Sequence, residues 1–216
     1  MKKVLLLAPL LVTSPGFGLA QSTITIGDTQ IESVLDSENA NVVVTQQADL
    51  SQAATINSIS FYVSVAQGHL RLGIYDASGP AGKPGQLLAQ STSFKPSNGW
   101  NTQNVTSPVV LQPGTYWLAY LPSSRGLRFV KRADSGNCWY HTRSFSNGLP
   151  SIFPATGDIN CTPTTWSFYA TLTPRDDAKG DGIARARKDD RDRPRLPLDG
   201  SGRRGRVCQD DDCGHR

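Results

Sequence analysis

Six residues of types that can bind sugars lie at alternating positions in three short stretches of the chain. A sugar ring has apolar C–H faces that stack on flat aromatic side chains, and hydroxyls that pair with polar groups such as arginine and tyrosine. One trio comes from SISFYVSV and LRLGIYD, and the other comes from CWYHTR. The six candidate ligand-binding residues are Tyr62, Arg71, Tyr75, Trp139, His141 and Arg143. Either trio could instead belong to an ordinary solvated sheet face, because scattered aromatic residues are normal on protein surfaces.

A glycine-rich loop, GPAGKPG at residues 79–85, has the composition of a phosphate cradle without its spacing. A P-loop has the pattern GxxxxGK(S/T) and leads into a helix whose N-terminus faces the phosphate. Here Gly82 follows Gly79 too closely, Lys83 is followed by Pro84, and the next segment, QLLAQSTSF, has the pattern of a strand. The loop is therefore predicted to be a structural turn, in which glycine supplies positive φ angles and proline restricts the backbone.

Sequence motifs for catalysis are missing. There is no HExxH spacing for a zinc hydrolase and no GxSxG elbow. The segment Asp134-Ser135-Gly136 echoes a serine-protease nucleophile, but Asn137 stands where that pattern has its second glycine. Copper-dependent polysaccharide oxidases begin with histidine, whereas the mature chain is expected to begin at Gln21. We therefore predict no catalytic residue. The alternative is a small polysaccharide lyase or hydrolase that uses residues such as Tyr62, Arg71 and His141.

Four carboxylates crowd the segment DTQIESVLDSEN, where they could hold a structural calcium ion, because calcium prefers oxygen ligands. They are Asp28, Glu32, Asp36 and Glu38. Their spacing matches no EF-hand, and a solvated acidic segment is the simpler interpretation, since surface acids usually need no partner. No cofactor other than this calcium ion is predicted.

The N-terminus and the cysteines predict export. Residues 1–20 combine a basic start, a short apolar run and small residues near the end, which is the pattern of a secretory signal peptide. The apolar run is too short to span a bilayer, so we expect a secreted, periplasmic or extracellular protein without a membrane span. In such an oxidising compartment, Cys138 and Cys161 are expected to form a disulfide.

Charge divides the mature chain into two parts. The formal net charge is +4, but residues 21–173 hold 8 basic and 8 acidic residues, and residues 174–216 hold 12 and 10. Interspersed charge gives no single-sign field, so no nucleic-acid partner is expected. Residues 175–216 contain no Phe, Trp or Tyr and are predicted to be a disordered tail. In this tail, Cys208 and Cys213 could form a second disulfide, bridge to a partner or contribute to a metal site.

Short alternating runs separated by turn residues dominate the predicted domain, residues 21–174. INSISFYVSV, LRLGIYD and WSFYATL alternate apolar and polar residues, and TYWLAYL is apolar on both faces, as in a central strand. About nine strands without long helical periods predict an all-β fold, a two-sheet antiparallel β-sandwich with jelly-roll or Greek-key connections. Trp117 and Trp166 are expected in the core, and a core position is also favoured for Trp100.

The order INSISFYV, LRLGIYD, KPGQLLAQS, WNTQNV and PVVLQPGTYWLAYL resembles a module that recurs in secreted bacterial proteins. Such modules are jelly-roll-like β-sandwiches attached to polysaccharide-degrading enzymes or surface proteins. The resemblance covers about residues 51–121 and the closing strand, and it implies fold without assigning catalytic residues. Together with export and the missing motifs, it predicts a non-catalytic carbohydrate-binding or surface-attachment module with a polysaccharide or glycan as partner. A purely structural envelope or adhesin domain is a further alternative.

Overall fold

The computed structural model describes residues 22–133, 136–157, 159–161 and 163–175. The predicted signal peptide, the predicted tail beyond Arg175 and the pair Cys208 and Cys213 lie outside the described residues. Within the described ranges, no helix has the length and apolar character needed to cross a membrane.

Fourteen strands, numbered in chain order, form two antiparallel sheets in the described part of the chain. The eight-stranded sheet contains β1 (Ile24–Gly27), β2 (Val34–Asp36), β4 (Ala54–Val65), β7 (Gly99–Asn104), β8 (Val110–Leu111), β10 (Arg128–Ala133), β13 (Thr164–Trp166) and β14 (Phe168–Pro174). The six-stranded sheet contains β3 (Val42–Leu50), β5 (Leu70–Asp76), β6 (Leu87–Gln90), β9 (Gly114–Pro122), β11 (Cys138–Thr142) and β12 (Ile159–Asn160). The predicted all-β sandwich is confirmed.

Most connections pass from one sheet to the other. The six-stranded sheet has the order β12-β11-β3-β9-β5-β6, and its central pairs, β11–β3, β3–β9 and β9–β5, join strands that are distant along the chain. In the other sheet the long strand β4 pairs with β14 and β10, and also with β7 and β8. The connection between β4 and β5 crosses between the sheets, which decides where the predicted site residues lie.

The main core lies between the two sheets. Phe61 is fully buried and packs against three other fully buried aromatic rings, with centroids 4.8 Å from Tyr120, 5.3 Å from Phe129 and 5.0 Å from Phe168. The alternation predicted for β4 is confirmed, because Ile59, Phe61 and Val63 face this core. Trp166 also belongs to it, as predicted. Such edge and tilted ring contacts contribute about 0.5–1.5 kcal/mol each beyond the area they bury.

A second apolar cluster covers the outer face of the six-stranded sheet. Val43, Tyr75 and Trp117 belong to this cluster, where they pack under Leu149 and Phe153. Leu149 and Phe153 come from residues 143–157, which we call the cover loop. Trp117 is buried as predicted, but it lies in this outer cluster rather than between the sheets. β9 is apolar on both faces because both faces are covered.

A disulfide joins Cys138 in β11 to Cys161 just after β12, which confirms the predicted pairing. The bond closes a segment with a sequence separation of 23 that includes the whole cover loop. The entropy removed from the unfolded chain by a loop of this size corresponds to about 3 kcal/mol of stability.

Candidate binding surface

Tyr75 faces away from the main core, as the strand parity predicts, but the prediction that it is exposed is wrong. Its side chain is fully buried beneath the cover loop. The hydroxyl donates a hydrogen bond to the carbonyl oxygen of Pro150 at 2.8 Å, and the ring meets Phe153 edge to face at 5.8 Å. Burial raises the pKa of Tyr75 far above its ordinary value, so the hydroxyl stays a donor. Tyr75 therefore holds the loop and is not available to a ligand.

Two arginines predicted as ligand-binding residues also hold the cover loop. Arg143 donates from Nε to the carbonyl oxygen of Gly148 and from Nη2 to that of Asn147, both at 3.1 Å. The guanidinium carbon of Arg71 lies 5.1 Å from the ring centroid of Phe145, in a cation–π contact. Both side chains are half-buried by these contacts.

Trp139 and His141 contact the same covering segments. Lys83 Nζ lies 3.8 Å above the ring centroid of Trp139, which brings the GPAGKPG loop onto this face. Trp117 adds a second tie, because its Nε1 donates to the carbonyl oxygen of Gly82 at 3.0 Å. A nitrogen of His141, Nδ1, is 3.3 Å from the carbonyl oxygen of Gly157. Trp139 and His141 of β11, and Arg143 just after it, thus all contact the protein's own loops, and all three are half-buried.

The GPAGKPG loop is a structural turn, as predicted, but its glycines do different things. Gly82 has a φ of 76°, in the left-handed region that favours glycine. Gly79 and Gly85 do not have positive φ angles. Glycine is needed at these two positions because other atoms of the loop pack closely against them. A Cβ at Gly79 would meet the carbonyl oxygen of Pro84, and one at Gly85 would meet Ser78 Oγ.

Tyr62 lies on the opposite side of the molecule from the other five candidates. β4 belongs to the eight-stranded sheet, whereas β5 belongs to the six-stranded one. The expectation that Tyr62, Arg71 and Tyr75 lie on neighbouring strands is therefore wrong, because the chain changes sheets between β4 and β5. The catalytic alternative loses its proposed constellation for the same reason, since Tyr62 and His141 occupy opposite outer faces.

The outer face of the eight-stranded sheet carries three half-buried aromatic residues that touch one another. Trp100 of β7 lies edge to face with Tyr62 of β4 at 5.6 Å between centroids, and with Tyr169 of β14 at 4.9 Å. Because β4 separates β7 from β14, the indole must pass over Ser60 to reach Tyr169, and Ser60 is fully buried. We call Tyr62, Trp100 and Tyr169 the aromatic row.

Uncharged polar residues surround the aromatic row. By register they share its outward face on β4, β7 and β14, and they are Ser58, Ser60, Thr102, Asn104 and Thr171. Ser60 and Thr102 are joined through their hydroxyl oxygens at 2.8 Å. This surface therefore offers ring faces and edges beside hydroxyl and amide groups, without a charge at any of the positions named.

Two members of the aromatic row were missed in the sequence. For Trp100, at the entry of a strand, a core position was only favoured, and its side chain is half-buried on the outer face. Its pairing with Tyr62 places it on the outer face. Tyr169 had a usable signal, since it alternates with Phe168 and Ala170, which are fully buried.

The four predicted calcium ligands are not gathered into one site. Asp28 and Glu32 both contact Arg132, with Asp28 Oδ2 at 3.5 Å and Glu32 Oε1 at 2.6 Å. Asp36 instead pairs with Lys131 at 3.3 Å, and Glu38 is exposed on a left-handed turn. Within the described ranges, no group of three or more His, Cys, Asp or Glu residues is arranged to hold a metal ion.

The pKa of Glu32 is raised even though the residue forms an ion pair with Arg132. Burial and a hydrogen bond with Asp28 raise the pKa of Glu32, and they outweigh the attraction of Arg132. A polar groove of about 500 Å³ lies beside these groups, lined by Asp28, Gln46, Gln47, Asp49, Arg132 and Thr165. Several of these groups already bond within the protein, as when Asn137 donates to Gln47 Oε1 at 2.6 Å. None of these described lining residues is aromatic.

A smaller cavity of about 260 Å³ has a mixed lining. We call it the end pocket, and the residues used below are Asp36, Asn39, Val42, Lys131, Tyr140 and Trp166. Cys161 of the disulfide also contributes to its wall. Tyr140 is half-buried and packs against the main core, as Cys161 does.

No protein-family model matches this chain, and no curated protein matches it. Function must therefore be inferred from the surfaces themselves. The six-stranded sheet has its outer face covered by residues 143–157 and 79–85. The eight-stranded sheet presents the aromatic row.

Proposed function

We propose that the protein is a secreted, non-catalytic module that binds a neutral polysaccharide or glycan through the aromatic row. The observation that carries the proposal is the contact of Trp100 with both Tyr62 and Tyr169 on one outer sheet face. Secretion is supported by the sequence of residues 1–20 and by the disulfide, since disulfides persist in oxidising compartments.

The chemistry of this face favours sugar over other ligands. Aromatic side chains contact the apolar C–H faces of a pyranose, and the surrounding hydroxyls and amides bond to its hydroxyl groups. Charged polymers are disfavoured because the positions around the row that could attract them are Ser, Thr and Asn. The ring contacts also restrict Trp100, so little side-chain freedom remains to be lost on binding.

The experiment measures retention by soluble and insoluble neutral polysaccharides, using affinity electrophoresis and pull-down. Trp100→Ala should weaken binding at least about tenfold, the equivalent of about 1.4 kcal/mol, because it removes the central ring of the row. Tyr62→Ala should weaken it less, since it removes one flanking ring.

Trp139→Ala is the matched control, because it removes an aromatic ring from the opposite, covered face. Circular dichroism establishes that each variant is folded before its binding is measured. The proposal fails if the wild type is retained by no polysaccharide in the panel. The assignment to the aromatic row fails if Trp139→Ala abolishes binding while Trp100→Ala does not.

A further inference from the structure

We propose that the end pocket is a second binding site, which takes one uncharged, polyhydroxylated ring of pyranose size. It lies between the two sheets and does not include the aromatic row. The inference therefore stands apart from the proposed function, and it can hold whether or not the outer face binds a polymer.

A carboxylate is fixed in place at the polar side of the pocket. Asp36 Oδ2 accepts from Trp166 Nε1 at 2.8 Å, and Asp36 Oδ1 accepts from the backbone nitrogen of Ser37 at 3.0 Å. Lys131 Nζ is 3.3 Å from the same Oδ1. A carboxylate can accept about four hydrogen bonds in all, so acceptor capacity is left for the hydroxyls of a ligand.

The side chain of Asn39 is also held by a hydrogen bond within the protein. Its amide nitrogen donates to the hydroxyl oxygen of Tyr120 at 2.9 Å, which orients the side chain. Tyr120 is fully buried, and burial raises its pKa well above the ordinary value, so the phenol stays neutral. Glu38 and Asn41 flank this position with φ angles of 69° and 59°. Asparagine adopts this left-handed conformation more readily than most residues, whereas it is uncommon for glutamate.

Much of the remaining wall is apolar and aromatic. Val42, Tyr140 and Trp166 supply this surface. A pyranose has the matching division, with C–H faces on the ring and hydroxyls at its rim. Two vicinal hydroxyls of a sugar can bond to the pair at the same time. One can donate to the carboxylate of Asp36 while the other accepts from the ammonium group of Lys131.

The charge and the volume of the pocket restrict the class of ligand further. Asp36 and Lys131 neutralise each other at 3.3 Å, so the pocket offers no excess charge to an acidic or basic ligand. Its volume of about 260 Å³ is below the roughly 300–1,000 Å³ of sites for drug-sized molecules. The pocket therefore suits a single sugar ring, either a free monosaccharide or the end of a chain.

The experiment is saturation-transfer NMR and calorimetry on the full chain with glucose, galactose, mannose and N-acetylglucosamine. Glucuronate and cyclohexanol are the acidic and the poorly hydroxylated comparison rings. At least one neutral sugar should bind, and the comparison rings should not. A tetrasaccharide of the bound sugar tests whether the ring can come from the end of a chain or only from a free monosaccharide. Only a terminal ring of the tetrasaccharide can enter the pocket, so its binding would show that a chain end is accepted.

Val42→Phe fills the pocket without removing a polar group, and it should lower the affinity at least about tenfold. Val110→Phe is the matched control, on an exposed valine of β8, and should leave the affinity unchanged. Lys131→Gln removes a half-exposed donor with little risk to folding, and it should also weaken binding about tenfold.

Three results would overturn the proposal: no neutral sugar binds the wild type at tens of millimolar, glucuronate binds in preference to neutral sugars, or Val42→Phe and Lys131→Gln both bind as the wild type does. The role of the aromatic row is read separately. Trp100→Ala should lose polysaccharide retention and keep monosaccharide binding. Loss of both activities in this folded variant would place the sugar on the outer face and refute the end pocket as its site.

Discussion

Replacing Phe153 with alanine should release the cover loop while the sandwich stays folded. Phe153 is 3% exposed and packs against Tyr75 in the outer cluster. An aromatic side chain buries about 150–250 Å², which at about 25 cal/mol per Å² corresponds to roughly 4–6 kcal/mol. Measured Phe→Ala substitutions cost about 3–5 kcal/mol, so we take about 4 kcal/mol as the lost docking energy.

The loss should appear locally because the outer cluster is separate from the main core. When a loop opens before the rest of the protein unfolds, the global stability can fall by no more than the free energy with which that loop was docked. Phe129→Ala is the matched control, since Phe129 is fully buried between the sheets. We expect the control to lower Tm by about 8–16 °C, at about 2–4 °C per kcal/mol for a domain of this size.

Hydrogen exchange read by mass spectrometry, together with thermal unfolding, makes the comparison. In Phe153→Ala, peptides from residues 143–157 should lose protection while peptides from β4 and β14 keep theirs, and Tm should fall by no more than in Phe129→Ala. Polysaccharide retention should be unchanged, because the aromatic row lies on the other outer face. The reasoning is refuted if residues 143–157 stay protected, or if all strands lose protection together.

Three further changes test other contacts of the fold. Tyr75→Phe removes the hydroxyl that bonds the cover loop and should cost about 1 kcal/mol in chemical denaturation, with an unchanged free energy of unfolding as the contrary result. Replacing both Cys138 and Cys161 with alanine should lower the free energy of unfolding by about 3 kcal/mol, and reductant should then have no further effect on the variant. The raised pKa of Glu32 means that its protonated form favours the fold, so this contribution is present below the ordinary value of 4.5 and is lost as pH rises through the raised pKa. Glu32→Gln should therefore raise Tm relative to the wild type more at pH 7 than at pH 4, whereas the opposite trend would show that attraction to Arg132 dominates.

The sequence predicts the fold well because strand patterns are local. Alternation in β4 correctly placed Phe61 and Val63 inward, and the double apolar pattern of β9 correctly indicated a central strand. β2 went unpredicted because it is three residues long and exposes Val34 and Leu35, so it has no buried face to leave a signal.

The site could be predicted only in part, because exposure is not a local property. Tyr75 and Tyr62 have the same outward parity, yet one is fully buried and the other is half exposed. The difference arises from the cover loop, which is about 75 residues further along the chain than the residue it covers. Trp100 shows the converse, since a core position was favoured for this large apolar residue although its partners hold it on the surface.

The position of the disulfide has a consequence for proteolysis. Cys138 and Cys161 lie on either side of the cover loop, so both pieces produced by a cut between residues 143 and 157 remain covalently joined. A nicked molecule would run as an intact chain without reductant and as two fragments with it. Exposed positions such as Ser146 and Asn147 make such a cut accessible, and the strands on both sides would keep their pairing. The cover loop can thus be cut while the disulfide keeps the two parts of the chain covalently joined.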